Sequence, residues 1–412
     1  MMRIVNEICC GLDVHAKTVV ACLLTGKQKE VRTFSTMTDD LLAMLDWLSA
    51  AQCPIVAIES TGIYWKPVFN ILEGTITVML VNARHIKAVP GRKTDVKDCE
   101  WIADLLQHGL LKASFIPPLE IRELRELTRY RQSLKGEMTR IANRIIKDIE
   151  SGNIKLRQVA SDALGTSGRK MLKLLAAGET DVEMMAGQAQ KKLKDKLPEL
   201  RRALSGQMTS AQRFVLSELL VRYEELESAI ARVDSRIAQH LAAHPEIKDS
   251  VDKIDGMPGI GPQNAVDVIS EIGTDMSAFP SQDHLSSWAA LCPGNNESAG
   301  KRHSGKTREG NPYVRTALVQ AAWAATRAKN TYLAAQYHHL VKRLGKKKSL
   351  VAVAHSMLVI IYQMLSKNEQ YRDLGANYFD TLQNKEVLGN RLIRKLKSLG
   401  FSVMVQDPVM TT

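Results

Sequence analysis

The stretch EICCGLDVHAKTVVACLLTGKQKEVRTFS, residues 7–35, decides the fold. EICCGLDV is a short apolar run that carries one acid, Asp13. TVVACLL resumes the apolar pattern after the polar His15-Ala16-Lys17, and TGKQ turns the chain into EVRTFS. Three short strands joined by tight connections read as an antiparallel meander. A charge inside an apolar strand is costly unless it is paired, so Asp13 asks for a partner.

Working outward, DDLLAMLDWLSAA (39–51) is an amphipathic helix with acids at its start, and PIVAIE (54–59) is a buried strand ending in Glu59. IYWKPVFNILE (63–73) reads as a helix and TITVMLV (75–81) as a fully buried strand. NARHIKAVPGRKTDVKDCEWIADLL (82–106) then leads from a basic loop with Arg92 and Lys93 into another helix. Three meander strands, helix, strand, helix, strand, helix is the order of the ribonuclease-H-like α/β fold. In that fold the middle of the first strand lies beside the end of the fourth, and the last helix closes over the same edge. Asp13, Glu59, Asp95 and Asp98 are therefore expected to converge.

Asp95 and Asp98 stand three apart, on one helix face. Alone, the pair reads equally as an exposed first turn favoured by the helix dipole. With Asp13 and Glu59 beside it, four carboxylates cannot all stay ionised without divalent cations. Oxygen-only ligands suit Mg²⁺ or Mn²⁺. Two such ions about 3.5–4 Å apart activate a nucleophile and stabilise the leaving oxygen in phosphodiester cleavage. Asp104, six residues after Asp98, points elsewhere.

From about residue 119 the strands stop. Leu124, Leu127, Leu134, Met138, Ile141 and Ile145 keep one helical stripe. Leu216, Leu219, Tyr223, Leu226, Ile230, Val233 and Ile237 keep a second, stepping by three and four. The stripes fit a coiled coil, within the chain or between chains, or a long helix in a bundle. KIDGMPGIGPQNAVDVISEIG (253–273) has the look of a helix–hairpin–helix. Gly259 and Gly261 would let backbone N–H groups approach a phosphate; a simple turn between helices is the other reading. The expected architecture is α/β plus all-α. Residues 1–118 form the acid-bearing domain, 119–250 a coiled-coil linker or oligomerisation region, 251–366 a mainly helical domain, and 367–412 a tail.

The 412 residues carry a formal charge of +12. Between Ser298 and Leu350 twelve Lys or Arg stand against one acid, Glu309. Charge so concentrated is a footprint for phosphates. The six cysteines lack the spacing of a zinc site or a disulfide framework, which points to a reducing cytoplasm. The start of the chain shows no secretory signal. The apolar run LVAVAHSMLVIIYQML is read as a buried helix, too short and too polar for a membrane span.

CPGNNESAGKRHSGKTREGNPYVRTALVQAAWAA (292–325) packs cations around Ser298 and Ser304. A serine is a poor nucleophile unless a base or metal activates it, so composition alone describes a solvated basic loop. Five ordered motifs add to that reading: GLDVHAKTV, IESTGIYW, NARHIKAVPGRKTDVKDCEWIADLL, MPGIGPQNAVDVISEIG and ESAGKRHSGKTREGNPYVRTALVQAAW. Across roughly residues 5 to 365 the chain resembles the DEDD transposases of bacterial insertion sequences, the insertion sequence 110 family.

The resemblance implies a RuvC-like domain and a serine-bearing transposase domain joined by a coiled coil. Asp13, Glu59, Asp95 and Asp98 would bind Mg²⁺, and Ser298 would be the nucleophile. Relatives often read Ser-Ser or Ser-Gly-Gly where this chain reads Glu-Ser-Ala-Gly, so Ser304 stays the alternative. Lys301, Arg302, Lys306, Arg308 and Arg315 would hold the DNA backbone. The resemblance further implies a phosphoserine link to DNA and a composite site shared between protomers of a dimer or tetramer. In some members a structured bridge RNA guides the reaction. The rival readings are a RuvC-like endonuclease using water, a sugar-kinase-like ATPase, which lacks its glycine-rich loop here, and a DNA-binding module with a dead metal site.

Overall fold

The computed structural model describes residues 3–60, 62–83, 86, 98–294, 296–298, 301–304, 306–307, 309–381 and 385–404. The chain divides into two compact units, residues 1–116 and 117–412.

In the first unit the meander forms as expected: β1 (Ile8–Val14), β2 (Thr18–Thr25) and β3 (Gln28–Ser35) pair antiparallel. Helix α1 (Thr38–Ala50) carries the chain to β4 (Ile55–Glu59), and α2 (Trp65–Leu72) carries it to β5 (Thr77–Val81). Both of these strands run parallel to β1, which gives the sheet order β3-β2-β1-β4-β5. One face buries Cys10, Leu12, Val56 and Ile58 with Leu41, Met44 and Leu48 of α1 and Val68 and Leu72 of α2. The other face buries Cys9, Ala57 and Val81 with Ile102, Leu105 and Leu106 of α3 (Asp98–Gln107). The sheet is thus covered on both sides, as parallel strands need.

Alternation places Gly11 on the α3 side, between Cys9 and Asp13. A Cβ on Gly11 would overlap the carbonyl oxygen of Cys99 and the amide nitrogen of Ala103. The helix therefore rests directly on the main chain of β1.

The second unit is helical apart from one small ribbon. Helices α4 (Leu119–Ser151) and α5 (Ser210–Ala243) lie antiparallel along each other. His240 Nε2 is 2.9 Å from the Glu120 carbonyl oxygen, Arg131 pairs with Asp234 at 2.8 Å, and Arg222 lies 3.9 Å from Glu137. A Thr209–Gln212 capping box starts α5. Residues 152–209 fold into short helices around Met171, Leu172, Leu175, Leu200 and Leu204. That cluster also takes Leu216 and Leu220, so Leu220 rather than the expected Leu219 is fully buried at the start of α5. The second stripe turns there because it faces these small helices.

Helices α6 (Pro245–Asp255), α7 (Pro262–Ile272), α8 (Gln282–Trp288), α9 (Pro312–Ala325), α10 (Tyr332–Leu344) and α11 (Lys346–Lys367) complete the body. At 22 residues α11 is long and apolar enough to cross a membrane, which corrects the expectation that it is too short. It nevertheless buries Leu350, Val353, Ala354, Met357, Leu358, Ile361 and Met364 against its neighbours, as a core helix does. None of the six cysteines is in a disulfide. Burial pushes the thiols of Cys9 and Cys22 up to about 12 and that of Cys53 to about 11.

Candidate active site

Asp13 lies on the face that α3 covers, near the C-terminal end of β1. The parallel register pairs Leu12 with Ile58, so Glu59 stands one residue beyond, beside Asp13. Glu59 is held in turn by its pairing with Val81, and the Ser60 amide donates to the Val81 carbonyl at 2.9 Å. Asp98 is the first residue of α3, exposed at its positive end.

The Asp13 carboxyl is pushed above its ordinary range, first by burial and then by the charges of Asp98 and Glu59. His15 opposes this, with Nε2 3.1 Å from Asp13 Oδ2. Two of the expected acids, Glu59 and Asp98, thus act on a third, Asp13, near the end of β1. Asp95, Arg92 and Lys93 lie outside the described residues. Among the described residues no three His, Cys, Asp or Glu side chains close up enough to hold a metal by themselves. The donor set still fits a hard divalent cation: it is oxygen-only, and a cation would offset both the burial and the neighbouring charges that raise Asp13.

The serine segment forms a two-stranded ribbon, β6 (Asn296–Ser298) and β7 (Lys301–Ser304). Ser298 pairs with Lys301 across the turn, and Asn296 with Ser304 at the other end. Pro293 bridges to Thr307, and the Gly294 amide donates to the Lys306 carbonyl at 2.9 Å, closing the base of the arm. Of this segment only the backbone is described at Ser298, Lys301, Arg302 and Ser304, and Arg308 lies outside the described residues. Lys306 is exposed, and Arg315 is partly exposed in the first turn of α9.

The glycine loop divides in two. Gly259, at φ +89°, packs so tightly that a Cβ would overlap Ala321 and Ala325 of α9. Gly261 is the N-cap of α7, and the space beside it is open.

Sequence reading passed over three features. His15 sits two residues beyond Asp13 in a quoted motif, but nothing in its spacing reveals the contact. Gly11 shows its role only once α3 is in place. Glu271, only 1% exposed, takes hydrogen bonds from Arg129 and Asn311. Its signal was available: an acid inside the apolar run VISEI is the same anomaly that marked Asp13.

Residues 10–152 match a family described as transposase, of the DEDD IS110 type, and residues 251–339 match the transposase IS116/IS110/IS902 family. Together the two matches cover more than half of the chain. The chain is 23% identical over 374 residues to the transposase for insertion sequence element IS1111A of Coxiella burnetii (strain RSA 493 / Nine Mile phase I), covering 88% of this chain and 87% of the relative. It is 25% identical over 303 residues to the insertion element IS110 uncharacterized 43.6 kDa protein of Streptomyces coelicolor, covering 68% and 73%. It is also 25% identical over 391 residues to the insertion element IS900 uncharacterized 42 kDa protein of Mycobacterium paratuberculosis, covering 85% and 94%.

Proposed function

Since the chain belongs to the IS110 family of insertion-sequence transposases, we propose that it moves such an element by metal-dependent cleavage and rejoining of DNA through a covalent phosphoserine. The observation that carries this reading is the convergence of Glu59 and Asp98 on Asp13, whose carboxyl is raised by burial first and then by their charges. The sheet order and the position of the acids on β1 and β4 support a ribonuclease-H-like, RuvC-like unit.

Asp13, Glu59, Asp95 and Asp98 would hold two Mg²⁺ or Mn²⁺ ions. When bound, such ions lower the pKa of an attacking hydroxyl and stabilise charge on the phosphorane oxygens. Ser298 Oγ gives up its proton and forms a bond to phosphorus as the bond to one deoxyribose oxygen breaks, and that oxygen takes up a proton in exchange. The phosphoester conserves the bond energy, so a second strand end can displace serine without ATP. Lys301, Arg302, Lys306, Arg308 and Arg315, with Arg92 and Lys93, neutralise phosphates without reading sequence. Gly261 offers its own backbone N–H at the start of α7, where Pro262 has none, and Gly259 shapes that turn.

In this proposal residues 1–118 are the acid domain, 119–250 the coiled-coil and self-association region, 251–366 the serine domain, and 367–412 a tail. The protein works in the cytoplasm as a dimer or tetramer, with Ser298 of one protomer serving the acids of another. A bridge RNA from the element guides it, so RNA from the flanking non-coding DNA should copurify.

The test expresses the gene with its flanking DNA, isolates the protein under denaturing conditions and sequences any DNA attached to it. Adducts should appear in the wild type and in Ser304→Ala, and vanish in Ser298→Ala and Asp95→Ala. Metal-dependent nicking with no adduct in any version would instead establish a nuclease that uses water.

A further inference from the structure

Glu271 sits in the last turn of α7, and a buried carboxylate is tolerated only when it is fully partnered. Arg129 of α4 grips it as a fork, Nε to Oε1 at 2.7 Å and Nη2 to Oε2 at 2.9 Å. Arg125, one turn earlier, lies 3.4 Å from Oε2 and donates to the carbonyls of Ser270 and Glu271 at 3.0 and 2.7 Å. It thereby satisfies the open end of α7.

The remaining bond to Glu271 comes from Asn311, whose Nδ2 donates to Oε2 at 2.5 Å. Asn311 Oδ1 accepts the amides of Tyr313 and Val314, which caps α9. The Asn311 amide donates to the Trp288 carbonyl at 3.2 Å. Gly310 leaves no room for a side chain against Trp288 and Ala290, and the Arg129 guanidinium lies 4.3 Å from the Tyr313 ring centroid. The chain is therefore fastened directly after the point where the serine arm closes on itself at Pro293–Thr307 and Gly294–Lys306.

An apolar contact here could stabilise as much. It could not fix direction, because apolar contacts slide and a fork does not. We infer that Glu271, gripped by Arg129 and bonded to Asn311, is a positioning residue that fixes the foot of the 293–307 arm to α4 and so sets where Ser298 stands. This rests on Ser298 being the nucleophile.

The decisive variants change Asn311. Asn311→Ser and Asn311→Asp both keep a residue that caps a helix, but serine cannot reach Glu271 and aspartate repels it. The measurements are the rate of adduct formation at saturating element-end DNA, the Kd for that DNA, the Tm, and hydrogen exchange at the Gly294 amide. For Asn311→Ser we expect a Tm near wild type and a Kd within about twofold. Its adduct rate should be roughly ten- to a hundredfold lower, as small misplacements cost, and Gly294 should exchange faster. Asn311→Asp should be slower still.

Wild-type adduct rates in both variants would overturn the inference. So would a loss of rate that simply follows the Tm. If the wild type itself forms no Ser298-dependent adduct, the proposed function fails and exchange at Gly294 decides alone: unchanged exchange in Asn311→Ser then sinks the clasp.

Discussion

Asp13 carries the charge that the first unit accommodates least well. Its raised carboxyl pKa means that partial burial first, and two neighbouring carboxylates after it, oppose its ionised form, with His15 offsetting part of that. Asp13→Asn should therefore raise the metal-free Tm of residues 1–116 by several degrees, corresponding to about 1 kcal/mol. Under the proposed metal role Mg²⁺ should raise the Tm of the wild type, and the same change should abolish both that shift and DNA cleavage. Calorimetry with and without Mg²⁺ checks both. His355 shows the same origin with the opposite direction: burial lowers its pKa, with Asp283 opposing, beside Cys292 Sγ at 4.0 Å. Below the ordinary pKa of 6.5 the unfolded chain binds a proton that the folded one resists. Stability from neutral His355 is thus complete above 6.5 and is lost as pH falls through the lowered value. In His355→Gln the fall in Tm between about pH 7.5 and 5.5 should be shallower than in wild type. Asp13 was legible as an acid inside an apolar run; its neighbour His15 was not, because a side-chain contact between residues two apart where a strand ends leaves no periodic trace.

At the scale of elements, close approach of backbones does what side chains do elsewhere. Gly11→Ala should force α3 off β1, costing about 1–3 kcal/mol by overpacking and, through the displaced Asp98, most of the cleavage activity. Urea denaturation and a nicking assay measure the two together, and a stable, active Gly11→Ala protein would show that α3 can yield. Gly259 carries a related lesson. In the sequence, Gly-x-Gly before an apolar helix reads as a phosphate loop or as a turn, and the two cannot be separated. The deciding partner, Ala321 and Ala325 on α9, lies some sixty residues further along the chain. The succession of strands and helices was legible because alternation and spacing are local signals; the boundary at Leu219 and Leu220 was not, since it depends on small helices folding against that turn.

At the scale of the molecule, charge and fold belong to different parts of the chain. The excess of Lys and Arg lies between Ser298 and Leu350, while the acids on β1, β4 and α3 belong to the first unit. Binding to duplex DNA should be strongly salt-dependent, losing roughly a thousandfold between 50 and 200 mM salt if six phosphates are contacted. Lys306→Ala should lower the slope of log K against log salt by about one, equally for all sequences. Titration of labelled duplexes at four salt concentrations checks this, and an unchanged slope would remove Lys306 from the contact set. The long antiparallel pair, α4 and α5, has a further consequence. Residues 152–209 leave and rejoin it at nearly one point: the Lys155 amide donates to the Ala203 carbonyl at 2.8 Å, Gly206 packs on Gly152 and Asn153, and Gln212 reaches Ser151 at 2.8 Å. A segment whose two ends meet can gain or lose residues in the turns between its short helices without changing how α4 registers on α5, because closing a longer or shorter loop changes the entropy only slowly; the helices themselves must stay, since they cover Leu216 and Leu220.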